Sequence, residues 1–527
     1  MRVQRSRAPQ SFCENAGNVP SDAGATPGAP RVSAGMLETL PAMSVRQALP
    51  DVPRIPPVVN VDELKALGFP LSTHRLVYPH LQRLSAEGAK PKKMAEVLKK
   101  VAAHPHNFVA DEQFAELAKA LLTRSPEQEF VERDKLAPWR QWGKDLEAGA
   151  VQQMRDACRL PIAFAGALMP DAHLGYGLPI GGVLATKGAV IPYAVGVDIA
   201  CRMKITVLDL PVGFLRTERE RLTKALEEET RFGMGAAFST PREHGVLDED
   251  WGVLDITKKS RDKARSQLGT SGSGNHFVEF GELELSEPHL GLQPGRYVAL
   301  LSHSGSRGPG AAVADRYSSL AMELHPELPK ELKHLSWLDL DSAEGQEYWT
   351  AMELMGRFAA ANHDVIHREV ARHLGAEVLA DVENHHNFAW KETHFGEEVV
   401  VHRKGATPAG PGVLGVIPGS MASPAFVVRG KGQPDSLSSA SHGAGRVMSR
   451  SQAFKRFSWD EVQRQLEKAG VTLLSSGLDE VPGVYKDIHD VMNAQSDLVE
   501  VLATFHPRLV KMAPPGKGKG KRRGEGE

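Results

Sequence analysis

The chain has 527 residues, 41% hydrophobic and 24% charged, with 63 basic and 65 acidic side chains and a formal net charge of −2. That length holds two or three ordinary domains, or one large domain with additions. The composition excludes a disulfide scaffold, since Cys13, Cys158 and Cys201 are few and scattered and fit a reducing, cytoplasmic setting. It also excludes a membrane span, which needs about 20 apolar residues, and confines any nucleic-acid site to a local basic cleft.

In chain order, the first ten residues are basic without acids, but no apolar stretch and cleavage site follow, which argues against a secretory signal. Residues 1–57 are rich in Ala, Pro, Gly and Ser and read as a disordered segment. Residues 58–135 read as a small helical accessory module. Val61–Gly68 is a short helix with a glycine stop, and Met94–Val101 and Asp111–Leu122 are amphipathic. From Trp139 onward, apolar runs at Val183–Thr186, Lys204–Leu208, Tyr297–Leu301 and Val399–Val401 predict strands. Helices are predicted at Leu215–Phe232, Lys258–Gln267, Ser342–Leu374 and Ser458–Ala469, the last with a capping-box pair, Ser458 and Glu461. This mixture predicts an α/β or mixed α+β fold. The tail from Pro514 is basic and glycine-rich, reads as disordered, and suits weak non-specific RNA contact.

Chemistry-bearing residues arrive in glycine-bounded turns. Asp198 and Cys201 are three apart, a workable spacing for two ligands of a borderline divalent metal, or a buried cysteine beside a turn aspartate. In Gly272–Glu279, strand alternation would put His276 and Val278 on one face. Asn275, Phe277 and Glu279 would lie on the other, so His276 is either a ligand or a hydrogen-bonded core histidine. His303 follows an apolar strand in Leu301–Gly308. In Asn384-His385-His386-Asn387, adjacent histidines point to different faces, so at most one serves a given metal. The glycine-rich stretches Asp171–Gly182 and Pro418–Met421 match no phosphate-loop or dinucleotide fingerprint, and read as backbone cradles or plain turns. Finally, His442 sits among small residues in Ser438–Arg446, which reads as a Gly/Ser loop when taken alone. Together these residues suggest a transition-metal site beside a nucleotide pocket, with His442 as a candidate nucleophile toward phosphorus.

Over residues 136–512 the chain resembles the RtcB family of GTP-dependent RNA ligases. The resemblance is carried by Met169–His173, Gly196–Cys201, Gly274–Phe277, Ser302–Arg307, His402–Thr407, His442–Arg446 and Pro482–Asp487. It implies a single large catalytic domain with an N-terminal helical extension. The implied activity joins RNA 3′-phosphate or 2′,3′-cyclic phosphate ends to 5′-hydroxyl ends, in tRNA splicing or RNA repair. The implied cofactors are two Mn²⁺ ions and GTP. One ion would be held by Asp198, Cys201 and His276, and the second by Cys201, His303 and His386. His442 would become guanylylated, with Asp171 as a supporting acid. The nucleotide would touch Asn275, His276, Phe277, Val278, Glu279, His386, Asn387, Pro418, Gly419, Ser420, Met421, His442, Gly443, Ala444, Gly445 and Lys511. Arg446 and Arg450 would suit RNA phosphates or the nucleotide. The implied partners are RNA and an archease-type activating protein, with no membrane, and the enzyme would be a monomer. The chain departs from the family at Ala200 and Arg202, where glycines are common, and at Ala425, where a nucleotide-contacting serine is usual. A dinuclear metallophosphoesterase, or a non-catalytic binder of RNA ends, would need the metal ligands or the pocket but not His442.

Overall fold

The structure, a computed structural model, describes residues 60–122 and 130–514. The expected disordered segment 1–57 and the tail beyond Pro514 lie outside the described residues.

Four helices open the described chain: α1 (Val61–Ala66), α2 (Leu71–Ala86), α3 (Pro91–Ala103) and α4 (Ala115–Leu122). Asn60 caps α1 reciprocally with Glu63. Helix α2 escapes sequence reading because Pro79 lies inside it, where the missing N–H ordinarily breaks a helix. Burial of Val77, Tyr78 and Leu81 overrides that penalty. The four helices share one apolar cluster with the helix Arg307–Leu324 and the long helix Ala343–Leu374, so Leu64, Val77 and Leu98 belong to the same core as Tyr317, Tyr348 and Met352. Polar contacts clamp this junction. The Val61 amide donates to Glu347 at 2.7 Å, Arg75 pairs with Asp341, and fully buried His74 bonds Glu344 through one ring nitrogen and the Phe69 carbonyl through the other.

The long helix matches its predicted span. Ser342 caps its start by accepting from the Gly345 amide, and Gly375, at φ 66°, ends it in the left-handed conformation. The predicted Leu215–Phe232 helix is instead two pieces, Phe214–Thr217 and Arg219–Glu229, because Glu218 leaves helical geometry. At Ser458 the expected capping box does not form. The hydroxyl donates to the Glu461 carboxylate at 3.1 Å instead of accepting a backbone N–H.

The strands are β1 (Trp139–Gln141), β2 (Ala163–His173), β3 (Ile180–Thr186), β4 (Ala189–Val190), β5 (Arg202–Leu208), β6 (Phe277–Leu285), β7 (Gly295–Ser304), β8 (Leu338–Asp339), β9 (Val378–His385), β10 (Asn387–His394), β11 (Glu397–Lys404), β12 (Ala406–Pro408), β13 (Leu414–Pro418), β14 (Ala425–Gly430), β15 (Ser439–Ser441), β16 (Thr472–Ser475) and β17 (Val499–Met512). An eight-stranded sheet runs β13-β14-β17-β6-β7-β5-β9, with β16 also paired to β17. A five-stranded sheet runs β1-β2-β3-β11-β10, and β12–β15 and β4–β8 form two-stranded pairs. This is the mixed α+β fold that the alternation of patterns predicts.

Strand parity sorts the large sheet into two faces. Val278, Phe280, Val298 and Leu300 pack with Ile366 and Val370 of the long helix. Met203, Ile205, Ala299 and Leu301 face the other way, against Val416, Val427 and Phe505. At one end of the sheet a single row crosses five strands: Met512 beside Phe277, then His303, Met203 and Asn384. The site is built around this row.

Removing one partner of a buried hydrogen bond leaves the other unsatisfied, at about 1–3 kcal/mol. Glu344→Ala is therefore expected to lower stability to denaturant by about 2 kcal/mol, read as a shift in the unfolding midpoint.

Candidate active site

Three imidazoles and a carboxylate converge on one sulfur. Cys201 Sγ lies 3.3 Å from His276 Nε2 and 3.1 Å from His303 Nε2. His303 Nε2 lies 3.2 Å from His386 Nε2, and His276 Nε2 lies 3.1 Å from Asp198 Oδ2. Asp198, Cys201 and His276 form one group, and Cys201, His303 and His386 a second, each with its donor atoms within 4.8 Å of one another. The sulfur is common to both.

The donors come from separate elements. His303 ends β7, Cys201 precedes β5, His386 lies between β9 and β10, and His276 precedes β6. His276 therefore reaches the cluster from a turn and not by strand alternation, which begins at Phe277. His385 meets Phe388 edge-on and tilts over Trp390, and His386 joins the cluster, so the adjacent histidines part company.

The surroundings prepare these groups as ligands. The Asn275 carbonyl accepts from His303 Nδ1 at 3.2 Å, which keeps the proton there and leaves the Nε2 lone pair facing the cluster. Burial pushes the His303 pKa down to about 3 and that of His386 well below its ordinary value, so both rings are neutral near pH 7. Burial alone would raise the Asp198 carboxyl, but the His276 hydrogen bond and charge outweigh it and hold the pKa low. The Ser306 amide adds a 3.0 Å bond to Asp198 Oδ1. Among the described residues, His276 Nδ1 and His386 Nδ1 are buried without hydrogen-bond partners. A cysteine sulfur, imidazole nitrogens and a carboxylate fit a borderline divalent metal such as Mn²⁺ or Zn²⁺.

Behind His303, a chain of hydrogen bonds fixes its strand to the long helix. The Ser304 carbonyl accepts from His363 Nε2 at 3.1 Å, so His363 Nδ1 accepts the Ser302 hydroxyl at 2.6 Å. The Ser302 oxygen then accepts from His367 Nε2 at 2.7 Å, and His367 Nδ1 accepts the Thr206 hydroxyl at 2.6 Å. One direction of donation satisfies every member of this buried set. The two neighbours of Cys201, Ala200 and Arg202, lie here too. Arg202 shares the parity of Lys204 and Thr206, so it points away from the cluster, toward the Gly356 carbonyl at 3.1 Å and Glu383 at 3.4 Å. Ala200 adopts φ 57°, a left-handed conformation that favours glycine, while its amide donates to the Asn387 carbonyl.

His442 opens a bend of small residues directly after a buried strand. The Ser439–Ser441 segment before it is strand β15, fully buried and paired with β12. Gln495 accepts from the Ser441 amide, and Arg403, itself fully buried, donates to Ser439 Oγ and the Leu437 carbonyl. His442 Nδ1 is 2.7 Å from Asp171 Oδ2, which also accepts from the His442 amide. Asp171 is fully buried. Burial would raise its pKa, but the hydrogen bond and charge of His442, with Lys486 and His173, outweigh it and hold the carboxyl below its ordinary value. Lys486 braces this segment by donating to the Pro170 and Ala172 carbonyls. Gly445 is required, since a Cβ there would lie 1.9 Å from the Asp171 carbonyl oxygen and φ is +75°. The His442 and His386 ring centroids are 4.9 Å apart.

A cavity opens beside these groups. It is lined by Asn275, Phe277, Glu279, His386, Asn387, Pro418–Met421 and His442–Gly445, and also by Arg446 and Ala425. Burial pushes the Glu279 carboxyl well above its ordinary pKa. Three residues expected at the nucleotide are not among the lining residues: His276 turns to the cluster, and Val278 and Lys511 face the opposite side of the sheet. A β-bulge at Pro507–Leu509 shifts the parity of β17, so Val510 and Met512 enter the cavity. Lys511 pairs in register with Val278, and its ammonium donates to the Leu226 carbonyl at 2.9 Å. Arg446 and Arg450 are held by acids on the segment before Tyr485: Arg446 by Glu480, and Arg450 by Asp479 and Glu480. Glu480, Tyr485 and Met203 also line the cavity; sequence reading assigned them no role, since no spacing pattern links them to His442.

Comparison with known proteins gives these features a context. Residues 153–512 match the family model for the tRNA-splicing ligase RtcB. The chain is 38% identical to the RNA-splicing ligase RtcB of Escherichia coli K12, over 70% of this chain and 96% of that protein. It is 37% identical, with the same coverage, to RtcB1 of E. coli strain ATCC 25922. It is 30% identical to the tRNA-splicing ligase RtcB of Methanococcus maripaludis, over 72% and 92% of the two chains.

Because Ala200 bears a Cβ at a left-handed position, Ala200→Gly is expected to raise stability by about 1 kcal/mol, measured by denaturant unfolding of the metal-free protein.

Proposed function

Because the chain belongs to the RtcB family of RNA-splicing ligases, we propose that this RNA ligase works through a covalent histidine–GMP intermediate on His442, using GTP and Mn²⁺. The observation that carries the reading is the Asp171–His442 pair, set in the same cavity as the cysteine–histidine cluster. Asp171 accepts the Nδ1 proton, so the neutral ring presents a lone pair at Nε2, the requirement for an attack on phosphorus.

Asp198, Cys201 and His276 would hold one ion, and Cys201, His303 and His386 the other. The ions would supply Lewis-acid stabilisation of charge developing on phosphoryl oxygens. His442 Nε2 attacks the α-phosphorus of GTP; a P–N bond forms, the bond to the β-phosphate oxygen breaks, and pyrophosphate leaves. Asp171 stabilises the imidazolium that develops. A 2′,3′-cyclic RNA end is first hydrolysed to a 3′-phosphate. An oxygen of that phosphate then takes GMP from His442, breaking the P–N bond and restoring the neutral ring. The RNA 5′-hydroxyl finally attacks the activated 3′-phosphate and expels GMP. A hydroxyl attacks a phosphate dianion poorly, which is why a nucleotide is consumed.

For the base, the two adjacent donors of guanine, N1–H and N2–H, would favour the ionised form of buried Glu279 against the burial that raises its pKa. The backbone of Pro418–Met421 and Gly443–Gly445 suits the sugar and phosphates. With Lys511 and Val278 on the other face of the sheet, these groups and Asn275, Phe277 and Asn387 carry the nucleotide in this reading.

Incubation with α-labelled GTP and Mn²⁺ is expected to leave acid-labile label on the protein. His442→Ala should abolish it, and Asp171→Asn should slow it about a hundredfold. Label that never attaches, or that attaches equally to His442→Ala, would sink the mechanism. Cys201→Ala removes the shared donor and is expected to lose both ions, read as loss of the thiolate–cobalt charge-transfer band on titration with Co²⁺ and of bound metal after gel filtration.

A further inference from the structure

We propose that the lysine face of α3 is a docking surface for the phosphate backbone of the RNA substrate, outside the catalytic cavity. The proposal rests on RNA being the substrate. Helix α3 lies in the N-terminal helices, beyond the part of the chain that matches the ligase family model.

Between residues 90 and 100 the chain has five lysines, Lys90, Lys92, Lys93, Lys99 and Lys100, against the single acid Glu96. All five lysines are exposed. At 100° per residue, Lys92, Lys93, Lys99 and Lys100 fall within an arc of about 120°. The buried residues Met94, Leu98 and Val101 lie on the opposite side and anchor the helix in the core. The two lysine pairs are seven residues apart, about 10 Å along the axis, which suits contact with successive phosphates of one strand. Glu96 sits in the middle of this face, yet among the described residues none of the five lysine ammonium groups has an ion-pair or hydrogen-bond partner. Their charge is open to an outside anion.

Three further observations favour RNA. The whole chain carries a net charge of −2, so attraction for a polyanion has to come from local surfaces such as this one. Arg446 and Arg450 at the cavity are already engaged with Asp479 and Glu480, and so offer less charge to the RNA strand. The four helices are rigidly mounted, through the core they share with the long helix and through Val61–Glu347 and His74–Glu344. A strand held on α3 is thus held in a constant relation to the helix that braces His303.

The test compares the full chain with K92Q/K93Q/K99Q/K100Q. Glutamine has nearly the helix propensity of lysine, so the fold is retained, and circular dichroism verifies it. Binding of a long single-stranded RNA is measured by fluorescence anisotropy as salt is raised from about 50 to 200 mM. Four lost phosphate contacts predict a log–log salt slope shallower by about 3 and an affinity at least tenfold weaker at low salt. The pair K99Q/K100Q should give about half the slope change, and serves if the quadruple variant fails to fold. Ligation of short RNA ends and labelling of His442 should be unchanged in both variants. An unchanged slope and affinity overturn the proposal. So does a variant that loses binding to phosphatidylserine vesicles while keeping its RNA affinity. Absence of labelling in the wild-type chain would count against the histidine–GMP reading only, because the salt slope does not depend on it.

Discussion

The constraint on which the rest of the structure depends is the crowding of electron-rich atoms around Cys201. A sulfur, three imidazole nitrogens and a carboxylate oxygen share one small volume, with separations of 3.1 to 3.3 Å. Lone pairs at that spacing repel unless a proton or a cation lies between them, so the arrangement persists only if the scaffold imposes it. Four separate elements do so, and the row of residues across β17, β6, β7, β5 and β9 keeps their ends level. The Asn275 carbonyl then decides which nitrogen of His303 carries the proton.

Burial and hydrogen bonding divide the histidines by task. His363 and His367 are spent in the chain of bonds that ties β5 and β7 to the long helix. His402 accepts the Ile191 amide and donates to the Leu184 carbonyl, locking neighbouring segments of the second sheet. His74 belongs to the junction between the N-terminal helices and the core. The cluster histidines differ in pointing Nε2 at a common centre, and His442 differs again in having Nδ1 on a fully buried carboxylate. A residue type that sequence reading treats as uniform thus takes five roles, each set by the partner that each ring nitrogen meets.

The long helix connects these levels. Its first turn receives the N-terminal helices, its middle takes Arg202 against the Gly356 carbonyl, and its later turns hold His363 and His367. At Arg202, β parity directs the side chain to this helix and not to the cluster. The strain at its neighbour Ala200 stays in the backbone.

The sequence by itself determined the mixed α+β class, the span of the long helix and the family, because periodicity and contiguous motifs are local properties. It named the cysteine, aspartate and histidines that come together at the cluster, since those residues travel in short glycine-bounded motifs. Only the tertiary structure decided which face each residue meets. A one-residue bulge in β17 turned Lys511 away and brought Met512 in, and strand parity turned Val278 from the cavity; the insertion of one residue inverts the pattern that follows it and leaves no mark in composition. Helix α2 formed across Pro79 because burial outweighed propensity. The small-residue bend that carries His442 is anchored by the buried strand before it, Ser439–Ser441, which is pinned by Arg403 and Gln495, partners distant in sequence that only folding brings within reach.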